Sequence, residues 1–226
     1  MDGRMRLPMR VHRLPGHTSL RRVLMPANPL SRTHISKVHW RHSGALIGSR
    51  ADLLRLGALF RLAATSPHSV VYLPLRENTP SEAFAHWARD PGVADLVIAR
   101  DEASLRPSAW PALRARLRRS VPATMRAPAA RPRPETPERD WEHLDLRAAE
   151  HADTLLLTGS ARALLDAGDE LTWCGDQVAV NSEIHRFGGP AGLSQFNGPD
   201  RRAGRRDGSW HFMVLAEDPL FRRGPA

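Results

Sequence analysis

The chain has 226 residues, enough for one ordinary domain or two small ones with a packed core. Hydrophobic residues make up 41% and charged residues 25%, which is typical of a globular chain and excludes collagen-like and wholly disordered classes. The formal net charge of +9 makes nucleic acid a partner to consider. No apolar run reaches the roughly 18 residues of a membrane helix and no signal-peptide pattern follows the N-terminal arginines, so we expect a cytoplasmic protein without membrane contact.

The positive charge is concentrated in two segments. Residues 1–42 contain eight arginines, one lysine and one aspartate, and residues 103–134 contain eight arginines and no acid. Residues 135–200 have the opposite balance, with thirteen acids against four arginines. Every cation except Lys37 is an arginine, and in a chain rich in alanine and proline this bias also fits G+C-rich coding. We therefore expect the basic excess in tails and a hinge, with neutral or acidic folded parts.

The first half predicts a basic arm followed by a small domain. Residues 1–31 contain four prolines and no sustained period, which predicts a disordered arm. Residues 32–120 predict an N-terminal α/β domain. Its elements are strands within 35–47, a helix capped by Ser49 and ending at Ala64, strands over 69–75 and 94–99, and helices over 80–89 and 108–119.

The second half predicts a linker and another small domain. Residues 121–139 contain five prolines and predict a Pro/Arg-rich linker. Residues 140–226 predict a C-terminal α/β domain with a charged loop over 199–208. Its predicted strands cover 177–184 and 210–216.

A short internal similarity links the two halves. Leu46–Gly57 aligns without gaps on Leu157–Gly168, with six of twelve residues identical. In both copies an apolar strand precedes a Gly-Ser pair and a helix follows it. The sequence therefore predicts an α/β or α+β fold of two duplicated strand–helix–strand units, although chance similarity over twelve residues stays open.

Few residue patterns point to catalysis. The chain has no G-x-G-x-x-G, Walker or G-x-S-x-G sequence, so no cofactor is expected and the Gly-Ser turns are interpreted as helix caps. Cys174, the only cysteine, excludes an internal disulfide and could act with His185 as nucleophile and base, but a buried apolar role is favoured. The three histidines near the start of the first domain do not have the spacing of a zinc site, and no metal is expected (His34, His39, His42).

The predicted helix around Trp110 is the leading candidate for binding a partner or phosphate. Tryptophan and arginine are common interface anchors, and arginine holds phosphate bidentately. The arginines of this helix are Arg114, Arg116, Arg118 and Arg119. Two other interpretations stay open: Trp110 could close the core of the first domain, or the arginines could pair with the acidic 135–200 segment.

Three functions follow from these observations. The first is a non-catalytic accessory protein that acts through contacts with a protein partner, with which a toxin-neutralising role is compatible. The second is a nucleic-acid-binding factor that uses the arginine-rich segments. The third is a small hydrolase or transferase dependent on Cys174.

Overall fold

The computed structural model describes residues 4–16, 18–37, 43–81, 84, 92–132, 146–180, 192–199 and 209–216. Within these ranges the fold is mixed α/β, of the α+β type, with two sheets and three α-helices. The helices are α1 (Arg50–Ala64), α2 (Trp110–Ala115) and α3 (Ala161–Val180). The strands are β1 (Met5–Arg13), β2 (Arg22–Pro26), β3 (Thr33–Ile35), β4 (Ser43–Gly48), β5 (Ser69–Leu73), β6 (Asp95–Arg100), β7 (Val121–Ala127), β8 (Leu146–His151), β9 (Thr154–Gly159), β10 (Gly192–Pro199) and β11 (Ser209–Ala216).

The two sheets flank the long helices. Sheet A has the strand order β7-β1-β2-β5-β6-β9-β8, and sheet B has the order β10-β11-β4-β3. Apolar side chains from the inner face of each sheet and from α1 and α3 belong to one hydrophobic cluster, which includes Leu24, Phe60, Leu164 and Phe212. Val23 and Trp110 belong to a second cluster, on the outer face of sheet A. α2 therefore covers sheet A from outside, while α1 and α3 lie on its inner side.

Two hairpin–helix–hairpin units account for most of the fold. The first contains β3, β4, α1, β5 and β6, and the second contains β8, β9, α3, β10 and β11. Each unit contributes one hairpin to each sheet, so β6 pairs with β9 in sheet A and β11 pairs with β4 in sheet B. Both sheets therefore combine strands from the two sides of the predicted boundary between the N-terminal and C-terminal domains.

The strand registers of the two units correspond position by position. Ile35 lies opposite Leu46 in the first unit, as Ala148 lies opposite Leu157 in the second. Both helices also begin in the same way. The Ser49 hydroxyl accepts from the Asp52 amide at 3.3 Å, and the Ser160 hydroxyl accepts from the Ala163 amide at 3.1 Å. These serines satisfy free amides of the first turn, as the sequence predicted.

The helices cross at two aligned glycines. A Cβ on Gly57 would lie 2.5 Å from the Gly168 carbonyl oxygen, and a Cβ on Gly168 would lie 2.6 Å from the Gly57 carbonyl oxygen. One turn later, Arg61 is buried and donates to the Gly168 carbonyl and to the Thr172 hydroxyl, both at 2.8 Å. Its Nε donates to the Pro128 carbonyl at 2.9 Å. The glycines permit close backbone approach, and Arg61 fixes the crossing.

The predicted disordered arm is wrong for the described residues of 1–31, because they include β1 and β2 of sheet A. β1 pairs with β2 on one side and with β7 on the other. The signal was present in the sequence: Met5, Leu7, Met9 and Val11 alternate with polar residues and proline, and these four side chains pack in or against the inner cluster. The prediction of disorder was wrong because it gave the four prolines of this segment more weight than the alternation.

The predicted linker is also wrong in its first part, because residues 121–127 form β7. β7 is an edge strand, and its second residue is Pro122. Edge strands tolerate proline because one side of the strand has no sheet partner. The rest of the predicted linker, from residue 133, lies outside the described residues.

Other predicted elements have mixed outcomes. The helix ending at Ala64 and the strands within 69–75, 94–99 and 210–216 are confirmed. The predicted strand at 177–184 is wrong for its first four residues, which continue α3. The predicted helix at 80–89 lies outside the described residues apart from Pro80, Ser81 and the buried Phe84, and the predicted loop at 199–208 is likewise outside except Pro199.

Candidate nucleic-acid interface

The outer surface of β1 and β7 is rich in arginine. Alternate side chains of a strand point to opposite faces of the sheet. Because Met5, Leu7 and Met9 pack on the inner side, Arg6 and Arg10 lie on the outer side. The antiparallel register places Arg126 of β7 directly opposite Arg6. This pairing joins the two arginine-rich segments, although Arg6 and Arg126 lie more than half of the chain length apart in the sequence.

These three arginines are exposed and have no carboxylate partner among the described residues. Arg6, Arg10 and Arg126 are all exposed, and no ion pair joins any of them to a described acid. The sequences of β1, β2, β7 and α2 contain no aspartate or glutamate. Like charges directly opposite each other on neighbouring strands destabilise a sheet. Among the described residues, this part of the surface therefore has unbalanced positive charge.

The residues that follow α2 extend this surface. Arg116, Arg118 and Arg119 are exposed. His12 of β1 is 7% exposed and lies near the backbone of Arg119, so the end of the α2 segment lies beside β1. Burial lowers the pKa of His12, the nearby Arg119 backbone opposes this shift, and the charge of Arg10 adds to it. We call the six exposed residues Arg6, Arg10, Arg116, Arg118, Arg119 and Arg126 the arginine face.

Trp110 and Arg114, the other two predicted binding residues, are not part of this face. Trp110 is fully buried and its ring meets Tyr72 edge-on, with centroids 4.9 Å apart. It therefore packs in the core, which was the structural alternative for this helix, and it is not an exposed anchor. Arg114 is half-buried and donates to Asp95 at 3.1 Å. Arg114, the predicted arginine nearest to Trp110 in the sequence, thus pairs with a carboxylate inside the protein.

Asp95 is the centre of a buried hydrogen-bond network. Its carboxylate accepts from the Tyr72 hydroxyl at 3.0 Å and from the backbone amide of Arg76 at 3.1 Å, in addition to Arg114. The Arg76 side chain lies 3.3 Å from the same carboxylate and also donates to Asp153 at 3.0 Å. The hydroxyl, carboxylate and guanidinium groups of this network all have hydrogen-bond partners, so the network stabilises the start of β6. None of these side chains is left unpaired to act as a nucleophile.

Tyr72 provides a direct test of this network. Burial, together with the adjacent Asp95 charge, raises the pKa of Tyr72 to about 12. Because an unfolded tyrosine has a pKa near 10, the stabilisation is complete below about pH 10 and is lost as the pH rises towards 12. Tyr72 is the only tyrosine, so tyrosinate absorbance should report its titration without interference. A midpoint near pH 10 in the folded protein would contradict the burial of this hydroxyl.

Cys174 lies in the core, and burial raises the pKa of its thiol to about 12, with the Glu170 charge adding to the shift. Its Sγ is 3.7 Å from the Val214 carbonyl oxygen on β11. A nucleophilic cysteine needs the opposite environment, one that lowers the pKa and exposes the sulfur. His185, its suggested partner, lies outside the described residues.

We expect Cys174 to resist alkylation in the native protein. At neutral pH a thiol with a pKa of about 12 is almost entirely protonated, and the buried sulfur is shielded from reagent. Labelling with iodoacetamide, followed by mass spectrometry, should be slow in buffer and fast in denaturant. Rapid native labelling at a rate similar to that of the denatured chain would show that the sulfur is accessible.

Other concave or charged regions do not form a competing site in the part of the chain described here. A pocket of about 310 Å³ lies between residues 130–132 and α3. Arg131 lines it and is paired with Asp169 at 2.6 Å and with Asp166 at 2.5 Å, so opposite charges already neutralise one another there. No group of three or more potential metal-binding side chains occurs in the described ranges.

Among the described helices, none is long and apolar enough to cross a membrane. In comparison with known proteins, the chain matches no protein family, no curated protein and no solved structure.

Proposed function

We propose that this protein binds nucleic acid, without catalysis, through the arginine face. The observation that carries the proposal is the pairing of β1 with β7, which places Arg6 opposite Arg126 on an exposed surface without acidic neighbours in these strands. A phosphate between the two guanidinium groups would offset their repulsion and accept charge-assisted hydrogen bonds from both. Binding would also release counterions from the phosphate backbone.

Protection of the sheet edge explains only part of the face. Charged residues and proline on an edge strand prevent pairing with other chains, and Arg126 and Pro122 of β7 fit that role. Arg6 and Arg10 lie on β1, which is covered by a neighbouring strand on each side. They need no such protection. Their exposure on the same side as Arg126 supports a role in binding.

An acidic protein partner is the second candidate. β7 is the last strand of sheet A among the described residues, and Val121 on this edge is 61% exposed. An extended acidic segment could add to this edge while its carboxylates pair with the arginines. We rank it second because Trp110, the aromatic anchor predicted for binding a partner, is buried in the core.

We also infer that the two hairpin–helix–hairpin units are copies of one ancestral unit. The support is the coincidence of the twelve-residue alignment with the strand registers, the two serine caps and the paired glycines. β1, β2 and β7 lie outside both units and extend sheet A beyond β5. Most of the arginine face is thus an addition to the repeated core.

Titration of a labelled oligonucleotide with the full chain, read by fluorescence anisotropy at several salt concentrations, tests the proposal. If four to six of these arginines contact phosphates, log K should fall against log salt with a slope between about −3.6 and −5.4. Polyglutamate of similar length serves as the acidic-protein control. Absence of binding to nucleic acid at low salt would contradict the proposal, and binding to polyglutamate alone would favour the second candidate.

A further inference from the structure

We propose that the ligand of the arginine face is a nucleic-acid duplex, held by its phosphates and not recognised by its base sequence. This inference rests on the proposed function and specifies the ligand class. It comes from the chemistry of the side chains that β1 and β7 present outward. On β1 these are Arg6, Pro8 and Arg10, and on β7 they are Pro122, Thr124 and Arg126.

These outward side chains lack most groups that discriminate between bases. Direct readout relies largely on paired donors and acceptors, such as asparagine or glutamine on adenine and a carboxylate on cytosine. The outward positions of β1 and β7 contain no amide and no carboxylate, and Thr124 supplies the only hydroxyl among them. Arginine can contact guanine, but β1 and β7 belong to a wide sheet and do not form the separate two-stranded ribbon that fits a major groove, which favours contact of their arginines with the backbone. We therefore expect affinity without sequence preference.

The strands also lack a platform for unpaired bases. Proteins that bind single strands stack successive bases on exposed aromatic rings. β1 and β7 contain no phenylalanine, tyrosine or tryptophan, and the ring of His12 is buried. A single strand would thus gain only the charge contribution. Duplex DNA presents one charge per roughly 1.7 Å of axis, twice the density of either strand, so it should bind more tightly.

The spacing of the arginines suits a surface that follows phosphates. Arg6 and Arg10 are four residues apart on β1, so their Cα atoms are separated by about 13 Å. Arg126 extends the patch across the neighbouring strand, which lies about 5 Å away. With Arg119 beside His12, the face is long enough to contact several phosphates. Specific recognition of RNA would need groups aimed at the 2′-hydroxyl, for which Thr124 is the only hydroxyl on these strands.

A competition experiment with the full chain tests the inference. A labelled duplex DNA of two helical turns, about 20 base pairs, is displaced by four unlabelled competitors of equal length. The competitors are the same duplex, a duplex of permuted sequence, one of its single strands, and a duplex RNA. We expect the permuted duplex to compete within about twofold of the original, the duplex RNA within about fivefold, and the single strand at least about fivefold less well.

The outcomes separate this inference from the proposed function. A single strand that competes as well as the duplex DNA would overturn the inference while leaving nucleic-acid binding intact. A permuted duplex or a duplex RNA that competes more than about tenfold less well would do the same, because it would show recognition of groups other than the phosphates. Failure of the labelled duplex and of every competitor, labelled in turn, to bind at low salt would instead overturn the proposed function.

Discussion

Replacing Gly57 with alanine is expected to destabilise the protein by about 3 kcal/mol or more. The added Cβ would lie 2.5 Å from both the Gly168 carbonyl oxygen and the Thr172 hydroxyl. Because the first of these is backbone in a buried helix, the clash is relieved only if α1 and α3 move apart. Separation would also stretch the hydrogen bonds that Arg61 donates to α3. Gly168→Ala should cost a similar amount, since its contact with Gly57 is reciprocal.

Chemical denaturation of the purified variants measures this effect, and Gly175→Ala is the matched control. A Cβ on Gly175, also buried in α3, would meet its nearest neighbours at 3.3 Å, so a small adjustment accommodates it. In a helix interior, alanine is otherwise favoured over glycine by about 1 kcal/mol. The control should therefore remain within about 1 kcal/mol of the parent. Equal stability of all three variants would show that the helices do not need the close crossing.

Replacing Arg6 with glutamate is expected to weaken DNA binding by more than about tenfold without weakening the fold. The new carboxylate would repel phosphate directly, and it would also engage Arg126, the opposite residue on β7. A like-charge pair would thus become a complementary one, which is worth a few tenths of a kcal/mol to about 1 kcal/mol. The expected result is a loss of affinity together with unchanged or slightly increased stability. A purely structural role for Arg6 predicts no loss of affinity.

Arg162→Glu is the matched control for this charge change. Arg162 has a side chain that is 71% exposed, and it lies on α3, which packs against the opposite side of sheet A. The Arg162→Glu substitution changes the net charge by the same amount as Arg6→Glu. Anisotropy titrations of both variants against duplex DNA at the same salt concentration provide the measurement. Comparable losses of affinity in the two variants would mean that net charge, and not the arginine face, determines binding.

The sequence was sufficient to predict elements in which the local pattern is strong. The helix after Ser49 combines a cap with apolar residues at helical spacing, and the strand ending at Ala216 is a nearly continuous apolar run. The assignment failed where two patterns compete. Val178 and Val180 suggest a strand, but residues 177–180 directly follow the part of α3 that buries Leu171 and Cys174, and the helix extends through them.

The arginine face depends on pairing between residues that are distant in the chain. Nothing near Arg6 in the sequence indicates that Arg126 will lie opposite it, because the partner of a strand is set by long-range packing. The basic character of both segments is evident from the sequence, whereas the pairing of β1 with β7 that brings them together is not. Trp110 illustrates the same limit: an arginine-rich helix with one tryptophan suits either an interface or a lid over the core, and only the packing against Tyr72 decides.

The exchange of hairpins between the units has a consequence for synthesis on the ribosome. β3 and β4 emerge long before β11, the parallel neighbour of β4. β1 must likewise wait for β7. Until these later strands are made, neither sheet can pair fully and apolar edges stay uncovered. Such non-local pairing slows folding and exposes the chain to aggregation, which makes chaperone assistance in the cell an expected requirement.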